Sequence, residues 1–144
     1  MATTMDVIVD RVRSLCLATP FEFQESARLD RFDWDPAQVF GDVSLFRIET
    51  VSQSAQGHTS YYEERTELLT VTVGRAVAED YDETRRGLLR CAHSLTSAIV
   101  RDGAQDSGSY HVMDAGMTSR IEADPTAAYL MLRLSLPVNY EASL

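Results

Sequence analysis

Apolar residues recur at helical spacing in two parts of the chain, and each stripe predicts an amphipathic helix. The first helix is expected over residues 4–18, with Thr3 and Asp6 forming a capping box at its start. The second is expected to begin at Asp80 or Asp82, because carboxylates suit a helix N-terminus. The stripe residues are Met5, Ile8, Val12 and Leu15 in the first helix and Leu88, Ala92, Leu95 and Ile99 in the second.

Two stretches rich in β-branched and aromatic residues predict a pair of strands over residues 43–50 and 61–77. In the second stretch Val71, Val73 and other apolar residues occupy alternate positions, which is typical of an antiparallel strand with one buried face. The intervening residues 51–60 are polar and have little to bury. They are expected to form a flexible loop or the tip of a long hairpin.

Alternation also predicts two strands nearer the end of the chain. One covers residues 110–121 and is expected to break near Gly116 at a bulge or bend. The other, over residues 130–138, alternates strictly, which predicts one buried face and one polar face. Pro137 lacks an amide hydrogen, so we expect it at a strand end or on an edge strand.

Residues 19–41 separate the first helix from the first strand and are both aromatic and acidic. Their ring content is too high for a disordered segment. We expect an ordered loop that its rings hold in place, with room for one short extended piece. The single tryptophan, Trp34, lies here, either as part of the core or as an anchor at a protein interface.

The predicted order, α-β-β-α-β-β, lacks the βαβα alternation of a doubly wound parallel sheet. It predicts an α+β fold in which two helices cover one face of a four-stranded, mostly antiparallel sheet, with a long projecting β-hairpin loop. The 144 residues suffice for one domain, and we expect that domain to cover residues 1–144.

Charge narrows the classes of partner. The chain has 22 acidic residues against 13 basic ones, a formal net charge of −9. A nucleic-acid binder or a basic membrane-surface helix needs clustered cations, so both are disfavoured. No stretch approaches the ~20 apolar residues that a membrane-spanning helix needs. All 13 bases are arginine, which excludes a Schiff-base or phosphate-loop lysine.

Motifs that specify catalysis are missing from the sequence. It has no GxSxG, no glycine-rich phosphate loop and no CxxC pair. His58, His93 and His111 show no metal-ligand spacing. Cys16 and Cys91 fall in the helical patterns and are expected to be buried thiols in a reducing compartment. We therefore expect neither enzyme activity nor a metal or cofactor.

The candidate functional surface is an interface for other protein subunits. A polar hairpin on a rigid body can reach a neighbour, and tyrosine rings are favoured at interfaces. The acidic run at 79–83 and the two arginines after it can add ionic contacts to such an interface. The alternative interpretation of the acidic run is a solvated helix start. The candidate interface residues are Gln53, Gln56, His58, Tyr61, Tyr62, Glu79, Asp80, Tyr81, Asp82, Arg85, Arg86 and Trp34.

In layout the chain resembles the phage tail terminator proteins, also called tail completion or minor tail proteins. The resemblance rests on an N-terminal helix, a long strand pair with a projecting loop, a central helix and a closing hairpin. It covers nearly the whole chain, although the aromatic segment 19–41 has no counterpart. The segments that carry it are MDVIVDRV (5–12), ELLTVTV (67–73), GLLRCAHSL (87–95) and YLMLRLSL (129–136).

The resemblance implies a structural virion protein that forms a homohexameric ring at the head-proximal end of the tail, assembled in the host cytoplasm. Such a ring stops polymerisation of the tail tube and offers its other face to the head–tail connector. Its partners would be copies of itself, the tail tube protein and the connector, with DNA passing through the lumen only as cargo. Six chains carry a formal charge of −54, six times −9, so an acidic lumen would repel DNA.

Other interpretations stay open. A head–tail connector or neck protein would share the ring but would not cap a tail tube. A small cytoplasmic enzyme or ligand-binding α+β domain would instead have a polar pocket and form a low-order oligomer. That class also predicts that deletion of residues 51–60 leaves assembly unchanged. A binding module for a basic protein is a third possibility.

Overall fold

Over residues 3–18, 23–25, 44–58, 62–77, 80–104, 110–113, 116–123 and 129–143, the computed structural model describes two helices and a six-stranded sheet. In chain order the elements are α1 (Met5–Leu17), β1 (Phe23–Glu25), β2 (Ser44–His58), β3 (Tyr62–Ala76), α2 (Tyr81–Ala104), β4 (Tyr110–Val112), β5 (Thr118–Ala123) and β6 (Tyr129–Ser143).

The strands form one sheet in the order β1-β2-β3-β6-β4, and β5 pairs with β6 beside β4. β1 is parallel to β2, and the other pairings of the described strands are antiparallel. The α+β class and the mostly antiparallel sheet are therefore confirmed. The strand count and order differ from the prediction, because a short edge strand lies within the segment 19–41 and the strand expected at 110–121 is divided in two.

β4 and β5 follow one another along the same edge of β6, so they act as one interrupted strand. The interruption includes Gly116, whose φ of 90° confirms the predicted break, because this left-handed conformation favours glycine.

Pro137 lies inside β6, so its predicted place at a strand end or edge is wrong. Its carbonyl accepts a hydrogen bond of 2.9 Å from the Met113 amide. The proline nitrogen faces the same side of the strand, where β4 and β5 are interrupted and the ladder needs no donor. This interruption of the pairing is what allows the proline in a central strand.

The flexible loop predicted at 51–60 is wrong for residues 51–58, which continue β2 as a strand. The alternative, a hairpin tip at 51–60, is also wrong for residues 51–58, which belong to the arm of a long antiparallel pair that reaches His58 and Glu63; residues 59 and 60 lie outside the described residues. Pairing with β3 gives hydrogen-bond partners to the backbone N–H and C=O groups of this polar stretch, so the stretch can form a strand without apolar side chains. The pairing shifts register between Ser52 and Ser54 and again between Ala55 and His58.

Both helices contribute to one core cluster on one face of the sheet. The buried residues of α2 include the predicted stripe, whereas α1 buries Cys16 and leaves Met5 and Leu15 only partly buried. β6 buries more than its predicted face, because Met131 on the other side is 0% exposed and packs in a second small cluster with Leu45. The core residues of β6 are Leu130, Leu132, Leu134, Leu136, Val138, Tyr140 and Ala142.

The capping box predicted from Thr3 and Asp6 is wrong, because the cap is one residue later and the residue three positions after it is Val7, which cannot return a side-chain hydrogen bond. Thr4 is the N-cap of α1, and its hydroxyl accepts a hydrogen bond of 3.4 Å from the Val7 amide. Thr3 instead joins the sheet, since its amide donates to the Glu141 carbonyl at 2.9 Å. The start of α1 is thereby fixed to the end of β6. Neither described helix is long and apolar enough to cross a membrane.

Candidate assembly surfaces

The predicted interface residues fall at opposite ends of β3. The hairpin end contains the end of β2 and the start of β3 at Tyr62, while the other end leads into α2 at Tyr81. β3 has 15 residues. At ~3.3 Å per residue its two ends lie about 45 Å apart. The structure therefore presents two separate surfaces and does not bring the hairpin residues and the acidic run together.

At the hairpin end the backbone places three of the predicted residues on β2. Gln53 falls at the first register shift, Gln56 falls within the second, and His58 pairs with Glu63 of β3. Among the described strands only β1 pairs with the outer edge of β2, and it does so at residues 44–46. No other described strand pairs with that edge, and the register shifts of β2 lie in this part of the strand. Tyr61, Glu79 and Trp34 lie outside the described residues.

At the other end, Asp80 to Glu83 form an exposed acidic turn. Asp80 is the cap of α2, because its carboxylate accepts hydrogen bonds from the amides of Asp82 at 2.9 Å and Glu83 at 3.4 Å. The amides of Asp82 and Glu83 are therefore used in the cap, and the side chains of both residues are exposed in the first turn of the helix. No described residue forms an ion pair with either carboxylate. Tyr81 is 40% exposed beside them.

Arg85 and Arg86 follow one turn later and are exposed, as the predicted interface requires. The structure therefore brings them together with the acidic turn. Leu89 in the next turn is also exposed, at 43% of its area, although it flanks the buried stripe of α2. The first three turns of α2 thus present acids, arginines and one apolar side chain to the surroundings.

The face of the sheet opposite the helices carries an arginine row that the sequence analysis missed. Arg47 pairs with Thr72, Thr72 with Arg133, and Arg133 with Arg120. Directly paired residues point to one face, with side chains ≈ 5 Å apart. Three guanidinium groups therefore line up across four strands. The alternation of apolar and polar residues in β6 indicated that Arg133 faces away from the core. Only the strand register shows that Arg133 lies in one row with Arg47 and Arg120.

The outer arginines of this row have carboxylate partners, whereas the central one has none among the described residues. Arg47 pairs with Glu49 at 2.7 Å, and Arg120 pairs with Glu122. Arg133 has no ion pair within the described residues, and its Nε atom is buried without a hydrogen-bond partner. A buried donor without a partner costs free energy in the isolated chain. The site is therefore suited to an anionic group from outside.

A polar cavity of about 200 Å³ lies between the start of α1 and the hairpin half of the sheet. Inside it the Tyr140 hydroxyl donates a 3.0 Å hydrogen bond to Glu67, whose side chain is buried. Burial and this hydrogen bond raise the pKa of Tyr140 above its usual range. The cavity is lined by Thr3, Thr4, Met5, Asp6, Arg65, Glu67, Tyr140 and Ala142.

The remaining ionisable candidates are dispersed. His93 and His111 are exposed on α2 and β4, and within the described part of the chain no three His, Cys, Asp or Glu side chains could hold a metal ion. Cys16 and Cys91 are buried free thiols, as predicted. Burial, with a smaller contribution from Cys16, raises the pKa of Cys91 to about 12. Such a thiol is a poor nucleophile.

Comparison of the sequence with protein-family models finds no match, and comparison with curated proteins finds none either.

Proposed function

We propose that the protein is a structural component of a phage tail: a tail terminator that forms a homohexameric ring and joins the head-proximal end of the tail tube to the head connector. The proposal rests first on the resemblance of the element order to that family. It is an assembly function, in which the protein acts through surfaces and not through a catalytic centre.

The observation that best supports the proposal is the presence of two dissimilar surfaces on one chain, an acidic one on a helix and a basic one on the sheet. A cyclic ring with more than two members uses head-to-tail contacts, so each chain must present two different, complementary patches. The chain has an acidic turn at the start of α2 and an arginine row on the opposite face of the sheet from the helices. β3 is paired on both sides for most of its length, which holds these surfaces at fixed positions.

The net charge is compatible with a ring through which DNA passes. Six chains carry −54, and acids facing the lumen would repel the DNA backbone instead of binding it. A map of the ring with arginines along the lumen would contradict this part of the proposal.

The proposal is tested by mixing the purified protein with tail tubes from the same phage and imaging the mixture by negative-stain electron microscopy. We expect six-fold rings seated at one end of each tube. The double variant Arg85→Glu/Arg86→Glu should weaken ring formation while it retains the monomer fold, and Arg101→Glu, a reversal in the last turn of the same helix, should not. Rings that remain intact in the double variant would remove these two arginines from the interface.

A head–tail connector or neck protein is the alternative within virion assembly. It predicts rings that do not seat on tail tubes, and a twelve-fold ring would favour it over the terminator.

The alternative from another class, a small enzyme or ligand-binding domain, is favoured by one specific observation, the polar cavity that contains Glu67 and Tyr140. Deletion of residues 51–60 does not distinguish this class, because residues 51–58 are part of the sheet. The variants Glu67→Gln and Tyr140→Phe are better tests. They should leave assembly intact if the protein is a terminator, and they should abolish ligand binding if the cavity is the functional site.

A further inference from the structure

The central member of the arginine row, Arg133, forms no ion pair with any residue that the structure describes. We propose that Arg133 binds the acidic turn of a second copy of this chain, with the Asp82 and Glu83 carboxylates of that copy as its ligands. This inference rests on the proposed ring. The contact joins the sheet face of one subunit to the start of α2 in the next.

The surroundings of Arg133 have the chemistry of a carboxylate site. On this face Arg133 has Thr72 and Arg120 beside it in the same row, and Met131 and Ser135 two residues away along β6, so two of its four neighbours carry hydroxyl groups. Ser135 in turn pairs with Thr70 of β3 and Thr118 of β5. A guanidinium group forms two parallel hydrogen bonds to a carboxylate, and nearby hydroxyls donate to its remaining lone pairs.

Charge balance across the row shows which arginine is available. Glu49 neutralises Arg47 and Glu122 neutralises Arg120. Arg133 directly faces Arg120, and like charges in this arrangement repel one another. The Arg133 side chain as a whole is only partly buried, so a carboxylate brought from outside to its exposed part would relieve that repulsion.

Charge complementarity selects the acidic turn as the occupant. Asp82 and Glu83 are exposed and have no ion-pair partner among the described residues. The hydrogen bonds from their amides to Asp80 fix the backbone of the turn, so little conformational entropy is lost when the turn binds. Because donor and acceptor lie on different faces of the chain, the contact is head-to-tail and can close into a ring.

The arrangement also predicts a conflict between stability and assembly. Replacing Arg133 with methionine removes the unneutralised charge and the unpaired donor while keeping the aliphatic volume. The Arg133→Met monomer should therefore melt at the same temperature as the natural chain or at a higher one, yet its rings should dissociate more readily.

Charge reversal with mutual rescue tests the proposal. Light scattering and negative-stain imaging would compare the natural chain, Arg133→Glu, the pair Asp82→Arg/Glu83→Arg, and the triple variant that combines them. Each reversal alone should weaken association by about 30-fold or more, as expected when one partner of a desolvated ion pair is lost. The triple variant should recover rings, and Asp10→Arg, a reversal at an exposed acid of α1, should leave them unchanged.

The outcomes separate this inference from the proposed function. Rings of the natural chain that persist in Arg133→Glu, or reversals that the triple variant fails to rescue, would overturn the inference and leave the ring intact as a proposal. A natural chain that never self-associates, with or without tail tubes, would overturn both. Arg133→Met, checked for folding by circular dichroism, keeps the test valid if the glutamate variant does not fold.

Discussion

The guanidinium of Arg11 lies 2.8 Å from a carboxylate oxygen of Asp102, an ion pair that joins α1 to α2. The other Asp102 oxygen lies 2.8 Å from the Tyr110 hydroxyl, which is also 3.0 Å from the Ile99 carbonyl. A phenol has one proton, and the carboxylate is the stronger acceptor for it. Arg11 also lies over the Tyr110 ring, 5.9 Å from its centre. This cluster fixes both helices to β4.

Replacing Asp102 should therefore destabilise the fold. Asp102→Ala leaves the Arg11 guanidinium and the Tyr110 hydroxyl without their shared acceptor, which costs about 1–3 kcal/mol. Asp10→Ala is the matched control, because it removes an exposed pair with Arg13 and should cost less than about 1 kcal/mol. Urea unfolding of the two variants measures the difference, and equal losses would contradict a structural role for the Asp102 cluster.

Stability should fall at alkaline pH because of Tyr110. Burial, and then the hydrogen bond to Asp102, raise the pKa of Tyr110 far above the ordinary value of 10.0. A raised folded-state pKa contributes stability below the unfolded value, and that contribution is lost as the pH rises above about 10. Tyr110→Phe should shift alkaline unfolding to higher pH, whereas Tyr81→Phe, at an exposed tyrosine, should not. Identical unfolding profiles for the two variants would rule Tyr110 out as the cause.

Two glycines of α2 should respond to alanine with opposite signs. A Cβ at Gly103 would lie 2.8 Å from both the ring and the backbone carbonyl of Tyr110, so Gly103→Ala should destabilise by about 1–3 kcal/mol. A Cβ at Gly87 meets nothing closer than 3.9 Å, so Gly87→Ala should stabilise the helix by about 0.5–1 kcal/mol. Thermal melts of both variants check the signs, and a stabilising Gly103→Ala would mean that α2 and β4 are not in close contact.

The two cysteines should be unreactive while the protein is folded. Cys16 is 0% exposed, and Cys91 is 2% exposed with a pKa raised to about 12, so neither presents a thiolate at moderate pH. A disulfide reagent should titrate no thiol in the native protein and two after denaturation. Leu17→Cys provides the positive control, since position 17 is 57% exposed and its thiol should react at once. Rapid native reaction of the natural thiols would contradict the packing of α1 on α2.

The fold was predictable where the spacing of apolar residues and the local turn or capping residues indicate the same element. The strict alternation of β6 and the stripe of α2 report burial directly, and Gly116 marked the interruption between β4 and β5. Prediction failed where backbone pairing overrides side-chain character, since residues 51–58 become a strand through their ladder with β3. Pro137 was misplaced because the gap between the β4 and β5 pairings accommodates it, and that gap depends on how segments distant in sequence pair with β6.

Of the two candidate surfaces, one was predictable from the sequence and the other was not. The acidic turn and its Asp80 cap were predictable, because a helix start has a local sequence signature. The arginine row was not, since it depends on the register of four strands. Only that register places Arg47, Arg133 and Arg120 in one row, and within the described part of the chain the carboxylates of Glu49 and Glu122 pair with the outer two arginines.

The mass of the protein in solution tests the central proposal most directly. Light scattering over a concentration series, with and without tail tubes, measures it without any assumption about the interface. The proposed ring predicts a species of six times the 16.1 kDa chain, either alone or once tubes are added. A monomer or dimer whose mass does not change with concentration or with tail tubes would contradict it.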